Sequence, residues 1–199
     1  TLTATGLTKG STQINTSVPH GWSAGDYMLI DQANNATANP PDTIYGCTWC
    51  SRASGTRLSA QVVKVTSVVN SNTVNIDPAL YWSYSTSRAA VGIKATPVLQ
   101  AISVEDLTVN NHTSDAPRMF NIYNLFDSLF SNLDLDGIPA DSQSRHFHFY
   151  DSLWLTVRGC DIRGGEGNQT NQGYGMFFGY GTSANLVENN TFSHVILAT

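Results

Sequence analysis

Two groups of side chains are of types that do chemistry, at a spacing that would stack them. The first is Arg118, Asn121 and Tyr123, followed 27 residues on by Arg145, His148 and Tyr150, with His146 beside them. Guanidinium and imidazole groups hold carboxylates or hydroxyls. Asp115, Asp141 and Glu166 lie just ahead of these or similar segments. Paired carboxyls, with His148 as a fourth candidate, are the groups that general acid–base catalysis uses. The same residues also read as solvated decoration, since acids in loops and histidines on strands are common. The second group is Asp134, Asp136, Asp161 and Arg163. If Asp134 stacks on Asp161, and Asp136 on Arg163, two carboxylates repel unless a cation or a proton lies between them. A calcium site is one reading. A solvated acidic strip with one ion pair is the other, and it is favoured.

Stacking requires elements that repeat, and the sequence has them. Residues 104–109 read Val-Glu-Asp-Leu-Thr-Val, and the pattern returns at 130–135, 157–162 and 187–192. The copies end at Val109, Leu135, Ile162 and Phe192, spaced by 26, 27 and 30 residues. Each reads as two short strands around a one-residue corner, with alternate side chains inward. The corner residues are Asp106, Asn132, Gly159 and Asn189, types that tolerate a left-handed backbone. Stacked amides there would form a ladder. A second column, Phe120-Asn121-Ile122, Phe147-His148-Phe149 and Met176-Phe177-Phe178, steps by 27 and 29 residues. Three strands per turn without a helical period predict an all-β chain containing a parallel β-helix of about four rungs. Antiparallel strands in a sandwich are the rival, but they need no such spacing between equivalent corners.

The Val-x-Asn-Leu-x-Leu corner, followed by a variable loop and a β-run, resembles the right-handed parallel β-helices of the pectate-lyase-like superfamily over residues 98–199. The resemblance implies a polysaccharide groove along one parallel sheet, here over 119–123, 146–150 and 175–179. Carbohydrate-binding candidates are then Arg118, Asn121, Tyr123, Arg145, His146, His148 and Tyr150, whose rings would stack on sugars. Asp115, Asp141, Glu166 and His148 become the catalytic candidates of a polysaccharide lyase or glycoside hydrolase, paired acids being the glycosidase device. The family's catalytic signatures are missing: no Asn-Thr-Asp, Asp-Asp, Gly-His-Gly or Arg-Ile-Lys, and no clustered calcium ligands with an Arg-x-x-Arg-like motif.

Composition narrows the class. Of 199 residues only 13% are charged, against 41% hydrophobic, and net charge is −5. Without a basic block, nucleic acid is not an expected partner. No apolar run has membrane-spanning length. With no signal peptide and no initiator Met, the chain reads as mature or trimmed. Cys47 and Cys50 lack two further ligands for zinc and read as a local disulfide or two reduced thiols. Cys160 reads as core. The sequons at Asn15, Asn35, Asn111 and Asn168 are glycosylation candidates that weakly support an extracellular or cell-surface protein. A fifth, at Asn189, falls in the corner column.

Residues 1–97 lack the rung period. A strand at 12–16, a turn at 21–26, a buried strand at 27–30 and a hairpin of 60–66 with 73–76 around 70–72 suggest a small antiparallel module capping the helix. Residues 31–55 read as a long loop, and Trp154 as packing. From 98 the rungs run on to 195–197 (Val-Ile-Leu) with no cap. The sequence thus carries two functional readings. One is an extracellular carbohydrate-associated β-helix that binds or cleaves polysaccharide along an outer groove. The other is a structural subunit whose open helix ends stack into a fibre.

Overall fold

The computed structural model describes residues 2–3, 5–35, 51–52, 55–57, 59–96, 98–112, 117–138, 144–165 and 173–195. Cys47, Cys50, Asp115, Asp141, Glu166 and Asn168, all singled out from the sequence, lie outside the described residues. The chain divides into two compact units, Thr1–Pro97 with Tyr180–Ser183, and Val98–Gly179 with Ala184–Thr199. No helix among the described residues is long and apolar enough to cross a membrane.

The first unit is built on a five-stranded antiparallel sheet. Its strands are β1 (Gln13–Asn15), β2 (Tyr27–Asp31), β5 (Ala60–Asn70), β6 (Thr73–Asp77) and β7 (Val91–Lys94), ordered β1-β6-β5-β2-β7. A separate short hairpin joins β3 (Ser51–Arg52) to β4 (Gly55–Thr56). Strand β2, between β5 and β7, is buried along its whole length, as its run of apolar residues requires. Its Met28 and Ile30 share a core cluster with Ile14, Val63, Val65, Val74 and Ile76. β5 extends to Asn70, further than its apolar alternation predicts, because irregularities at 65–67 and 68–70 keep it paired with β6. β7 was not anticipated. Gly92 brings its backbone against β2, where a Cβ would meet Met28 Sδ at 2.7 Å. Asp31 enters the core paired with Arg57 at 2.7 Å, both almost fully enclosed, and Arg57 also donates to Ala89 O. Burial, then the nearby Asp31 charge, raises the Tyr84 hydroxyl pKa above its ordinary value. Segment 180–183 belongs to this unit: Gly181 O accepts from Val62 N at 2.8 Å, and Ser183 Oγ donates to Val62 O at 2.9 Å.

The second unit is a right-handed parallel β-helix. Its opening rung supplies β8 (Leu99–Gln100), β9 (Ser103–Glu105) and β10 (Thr108–Asn110). The next supplies β11 (Arg118–Tyr123), β12 (Leu125–Ser131) and β13 (Asp134–Ile138). Then come β14 (Arg145–Tyr150), β15 (Leu153–Arg158) and β16 (Asp161–Gly165), and lastly β17 (Tyr174–Gly179), β18 (Leu186–Glu188) and β19 (Thr191–Ser193). Equivalent strands pair in parallel to give three sheets: β11-β14-β17, β10-β13-β16-β19, and one in which β12 pairs with β8 and β9 and continues through β15 to β18. The pairs Val109↔Leu135, Leu135↔Ile162 and Ile162↔Phe192 reproduce the repeat read in the sequence. Alternation sends Phe147, Phe149, Leu155, Val157 and Ile162 into the core. Phe120 stacks on Phe147 at 5.0 Å, and Phe130 meets Phe147 edge-on at 5.4 Å, the offset and edge geometries that aromatic rings prefer.

Corners depend on left-handed backbone. Asp106, Asn132, Gly159 and Asn189 all have φ between 54° and 63°, as their types predict. Asn132 Nδ2 donates to Asp106 Oδ1 at 3.2 Å, one link of the expected ladder, and Gly159 interrupts it. Two more left-handed columns are present. One is Asn124, Asp151 and Tyr180; the other is Ala101, Asp127, Trp154 and Ala184, which bends the strands. At such a column the following backbone N–H turns out of the strand ladder. A side-chain oxygen one rung on accepts it: Ser128 Oγ from Ile102 N, Ser152 Oγ from Leu125 N, Asn185 Oδ1 from Leu155 N, and Asn190 Oδ1 from Cys160 N. Buried N–H groups need such partners, so Ser and Asn inside the rungs are structural.

Candidate functional site

The sheet β11-β14-β17 collects the Arg, His and Tyr candidates. Arg118 pairs with Arg145, Asn121 with His148 and then Phe177, and Tyr123 with Tyr150 and then Gly179. The 27-residue spacing thus becomes a one-rung stack. Tyr123 is 50% exposed and stacks on Tyr150 at 4.7 Å. Tyr150 is almost wholly covered, with its ring over Gly179, where a Cβ would meet Tyr150 Cε1 at 2.7 Å. Tyr123 is therefore the accessible platform and Tyr150 its support. Asn121 is exposed beside it.

His148 is 1% exposed and lies between Tyr150, with centroids 4.0 Å apart, and Phe177 at 4.8 Å. Neither ring nitrogen has a hydrogen-bond partner. Burial, then the positive charges of Arg145 and Arg118, pushes its pKa down to about 3. It is neutral at all ordinary pH values, and a base this weak has little driving force to take a proton near neutrality. Burial and then Arg118 also lower the Arg145 pKa, and the Arg145 guanidinium sits over Phe177 at 4.7 Å and Tyr174 at 5.5 Å.

His146 departs from the expected outward set. It is fully enclosed, with Nε2 2.8 Å from Arg163 O and Nδ1 3.3 Å from Tyr174 O. Strict alternation placed it beside His148; instead the ring is enclosed and ties backbone between rungs. Burial lowers its pKa, and the two carbonyl contacts oppose that shift.

The second group lies on β10-β13-β16-β19. Asp134 pairs with Asp161 and Asp136 with Arg163, in the register read from the sequence. Arg163 fills the cluster: Nη1 is 2.5 Å from Asp134 and 2.7 Å from Asp161, and Nε is 3.6 Å from Asp136. Hydrogen bonding to Asp134 raises its pKa first of all. The cation between the carboxylates is thus a side chain, and among the described residues no group of three His, Cys, Asp or Glu could hold a metal ion. The arrangement is an acidic strip whose three carboxylates all face the Arg163 guanidinium. His112 Nε2 lies 3.7 Å from Asp136.

Of the sequons, Asn15 has its amide engaged: Oδ1 accepts from Thr73 Oγ1 at 2.7 Å, and Nδ2 donates to Thr5 O at 3.4 Å. Asn35 and Asn111 are half-buried. Cys160 is a buried free thiol with its pKa raised by burial. Sequence reasoning missed Tyr174 and Phe177 as neighbours of Arg145; their place in the Met176-Phe177-Phe178 column is the signal that points to them.

No family model matches the chain, and no curated protein matches it. Among solved structures it is similar to the tailspike protein gp49 from Pseudomonas phage LKA1, with TM-score 0.51 and 17% identity, over 86% of this chain and 25% of that one. It is also similar to the Pseudomonas phage phi297 tailspike gp61, with TM-score 0.53 and 15% identity, over 96% of this chain and 30% of that one. At these identities what is shared is the fold. The chain spans between a quarter and a third of the length of these structures.

Proposed function

We propose that this chain is a carbohydrate-binding β-helix that takes polysaccharide along the β11-β14-β17 face, acting outside or at the surface of a cell. The observation that carries the reading is the half-exposed Tyr123 ring, stacked on Tyr150, with the exposed Asn121 two residues before it on the same strand. A rigid ring beside hydrogen-bonding groups is the arrangement that binds one face of a sugar while fixing its hydroxyls. The resemblance of the Val-x-Asn-Leu-x-Leu corner to the pectate-lyase-like superfamily supports the same assignment. Binding, and not catalysis, is the content of this reading: the buried, weakly basic His148 is poorly suited to proton transfer. The test is retention on a panel of immobilised polysaccharides. The wild-type chain should be retained by at least one of them and Tyr123→Ala should elute earlier; equal retention of both proteins would refute the site.

The geometry of the last described rung supports a second reading, a subunit stacking end to end. Phe178 and Val187 are exposed there, although their partners one rung earlier, Phe149 and Val157, are fully buried. An apolar rung edge is a template for strand addition. On this reading a second copy covers that edge, and Val187→Lys would abolish assemblies seen by light scattering. A wild-type chain that stays monomeric at high concentration would rule the stacking out.

A further inference from the structure

We propose that Tyr81 and Trp82, in the first unit, form a binding site for a neutral saccharide. The site is separate from the β11-β14-β17 face and does not rest on the reading of that face.

Three observations carry it. The first is exposure. Tyr81 is 41% exposed and Trp82 56%, although the flanking Leu80 and Tyr84 are buried in the core of the unit. Single apolar residues at a surface are ordinary, but two consecutive large rings left in water form a patch.

The second is rigidity. The backbone beneath the rings is tied at almost every residue. Gly10 N donates to Leu80 O at 2.8 Å, and Leu80 N donates to Ser11 O at 3.0 Å. Tyr81 N donates to Oε1 of Gln61 at 2.8 Å. Gln61 is itself enclosed, and its Nε2 donates to Ala79 O at 3.0 Å. Lys9 N donates to Ser83 Oγ at 3.0 Å, and Tyr84 N donates to Leu7 O at 2.8 Å. With this backbone fixed before a ligand arrives, binding carries a smaller ordering cost.

The third is the polar surroundings. Lys9 and Ser83 are exposed, and the bond between them brings Lys9 alongside the segment. Burial, then the Asp77 charge, raises the Tyr81 hydroxyl pKa, so the carboxylate lies near the phenol. A pyranose has apolar C–H faces and a belt of hydroxyls. The faces suit an indole and a phenol. The hydroxyls suit a carboxylate that accepts, an ammonium that donates and a phenol that does both. One acid and one base leave no net charge to select a charged sugar, so the site fits a neutral one. A phosphate-bearing chain would need clustered cations, and two rings fall well short of the area that a stable protein interface buries.

The chain has four tryptophans, so its indole N–H groups are separable by NMR, and the Trp82 signal is the one missing from Trp82→Ala. The whole chain should be titrated with short neutral oligosaccharides of dextran, galactan, cellulose and chitin, with oligogalacturonate as the acidic comparison. The Trp82 signal should shift and saturate with at least one neutral oligosaccharide, with a Kd of about 1 mM, and respond at least tenfold more weakly to oligogalacturonate. By calorimetry, Trp82→Ala should weaken that binding at least tenfold, with an unchanged melting temperature because the ring is exposed. A Trp82 signal unmoved by every neutral oligosaccharide, an equal response to oligogalacturonate, or Trp82→Ala binding like wild type would overturn the site. Each of these results leaves the β11-β14-β17 reading standing, since Tyr123→Ala tests that face by itself.

Discussion

The β11-β14-β17 and β10-β13-β16-β19 faces are made by the same device, register stacking of polar residues one rung apart, and they come out opposite. On the second face Arg163 reaches three carboxylates, so the charges answer one another. On the first, Arg118 and Arg145 are register partners in adjacent strands, and His148 is enclosed with neither nitrogen bonded. A self-satisfied cluster has little left to offer a ligand, whereas a face with an open Tyr123 ring does. Stacking alone does not distinguish a site from decoration. The partners that each side chain has already found do.

Changes on each face should separate them. The largest effect expected is on binding: Tyr123→Ala should weaken polysaccharide affinity roughly thirtyfold, as removal of an aromatic anchor does, with little change in melting temperature. Asp134→Asn on the other face should leave affinity within about twofold in the same titration calorimetry.

Next in size is the support beneath the first face. Ser152 Oγ donates to Tyr150 O at 2.8 Å and accepts from Leu125 N at 3.3 Å. Ser152→Ala removes the acceptor of the Leu125 N–H, while Tyr150 O still accepts from Asn124 N at 3.2 Å, so urea unfolding should show a loss of about 1–3 kcal/mol.

The pH dependence follows from His148. Its pKa is pushed down to about 3 when folded, against roughly 6.5 when unfolded. Between those values the unfolded chain binds more protons, so the stability that the neutral ring allows is complete above pH 6.5 and is lost as pH falls toward 3. The slope from this one group approaches at most about 1.4 kcal/mol per pH unit. His148→Gln should flatten the fall of melting temperature over that window, and an unchanged profile would mean that the ring is protonated in the folded chain. The smallest effect belongs to the acidic face. Arg163→Gln should lower the melting temperature slightly, more at low salt than at high, because its ion pairs are accessible to solvent. Millimolar calcium should restore part of the loss, since the carboxylates then lack their cation.

Much of the helix was legible because burial imposes a strict period of two within each strand, and stacking repeats it each rung. Phe120, Phe147 and Met176, or Val109, Leu135, Ile162 and Phe192, announce themselves by type and spacing. The Asn and Gly corners did so too. What could not be read was the column through Ala101, Asp127, Trp154 and Ala184. No shared residue type marks it, because its requirement falls on the next residue, where Ser128 and Asn185 supply an oxygen. His146 was misplaced because alternation along one strand does not report the Arg163 and Tyr174 carbonyls that meet its enclosed ring. The exposure of Tyr123, and the burial of Tyr150 and His148 behind it, depend on the third dimension of the stack, which alternation along one strand does not contain.

The most direct test compares wild type, Tyr123→Ala and Asp161→Asn by retention on the polysaccharide panel. The account predicts that wild type and Asp161→Asn bind the same polysaccharide equally and that Tyr123→Ala loses it. Loss of binding in Asp161→Asn with Tyr123→Ala unaffected, or no binding by the wild-type chain to any polysaccharide, would contradict it.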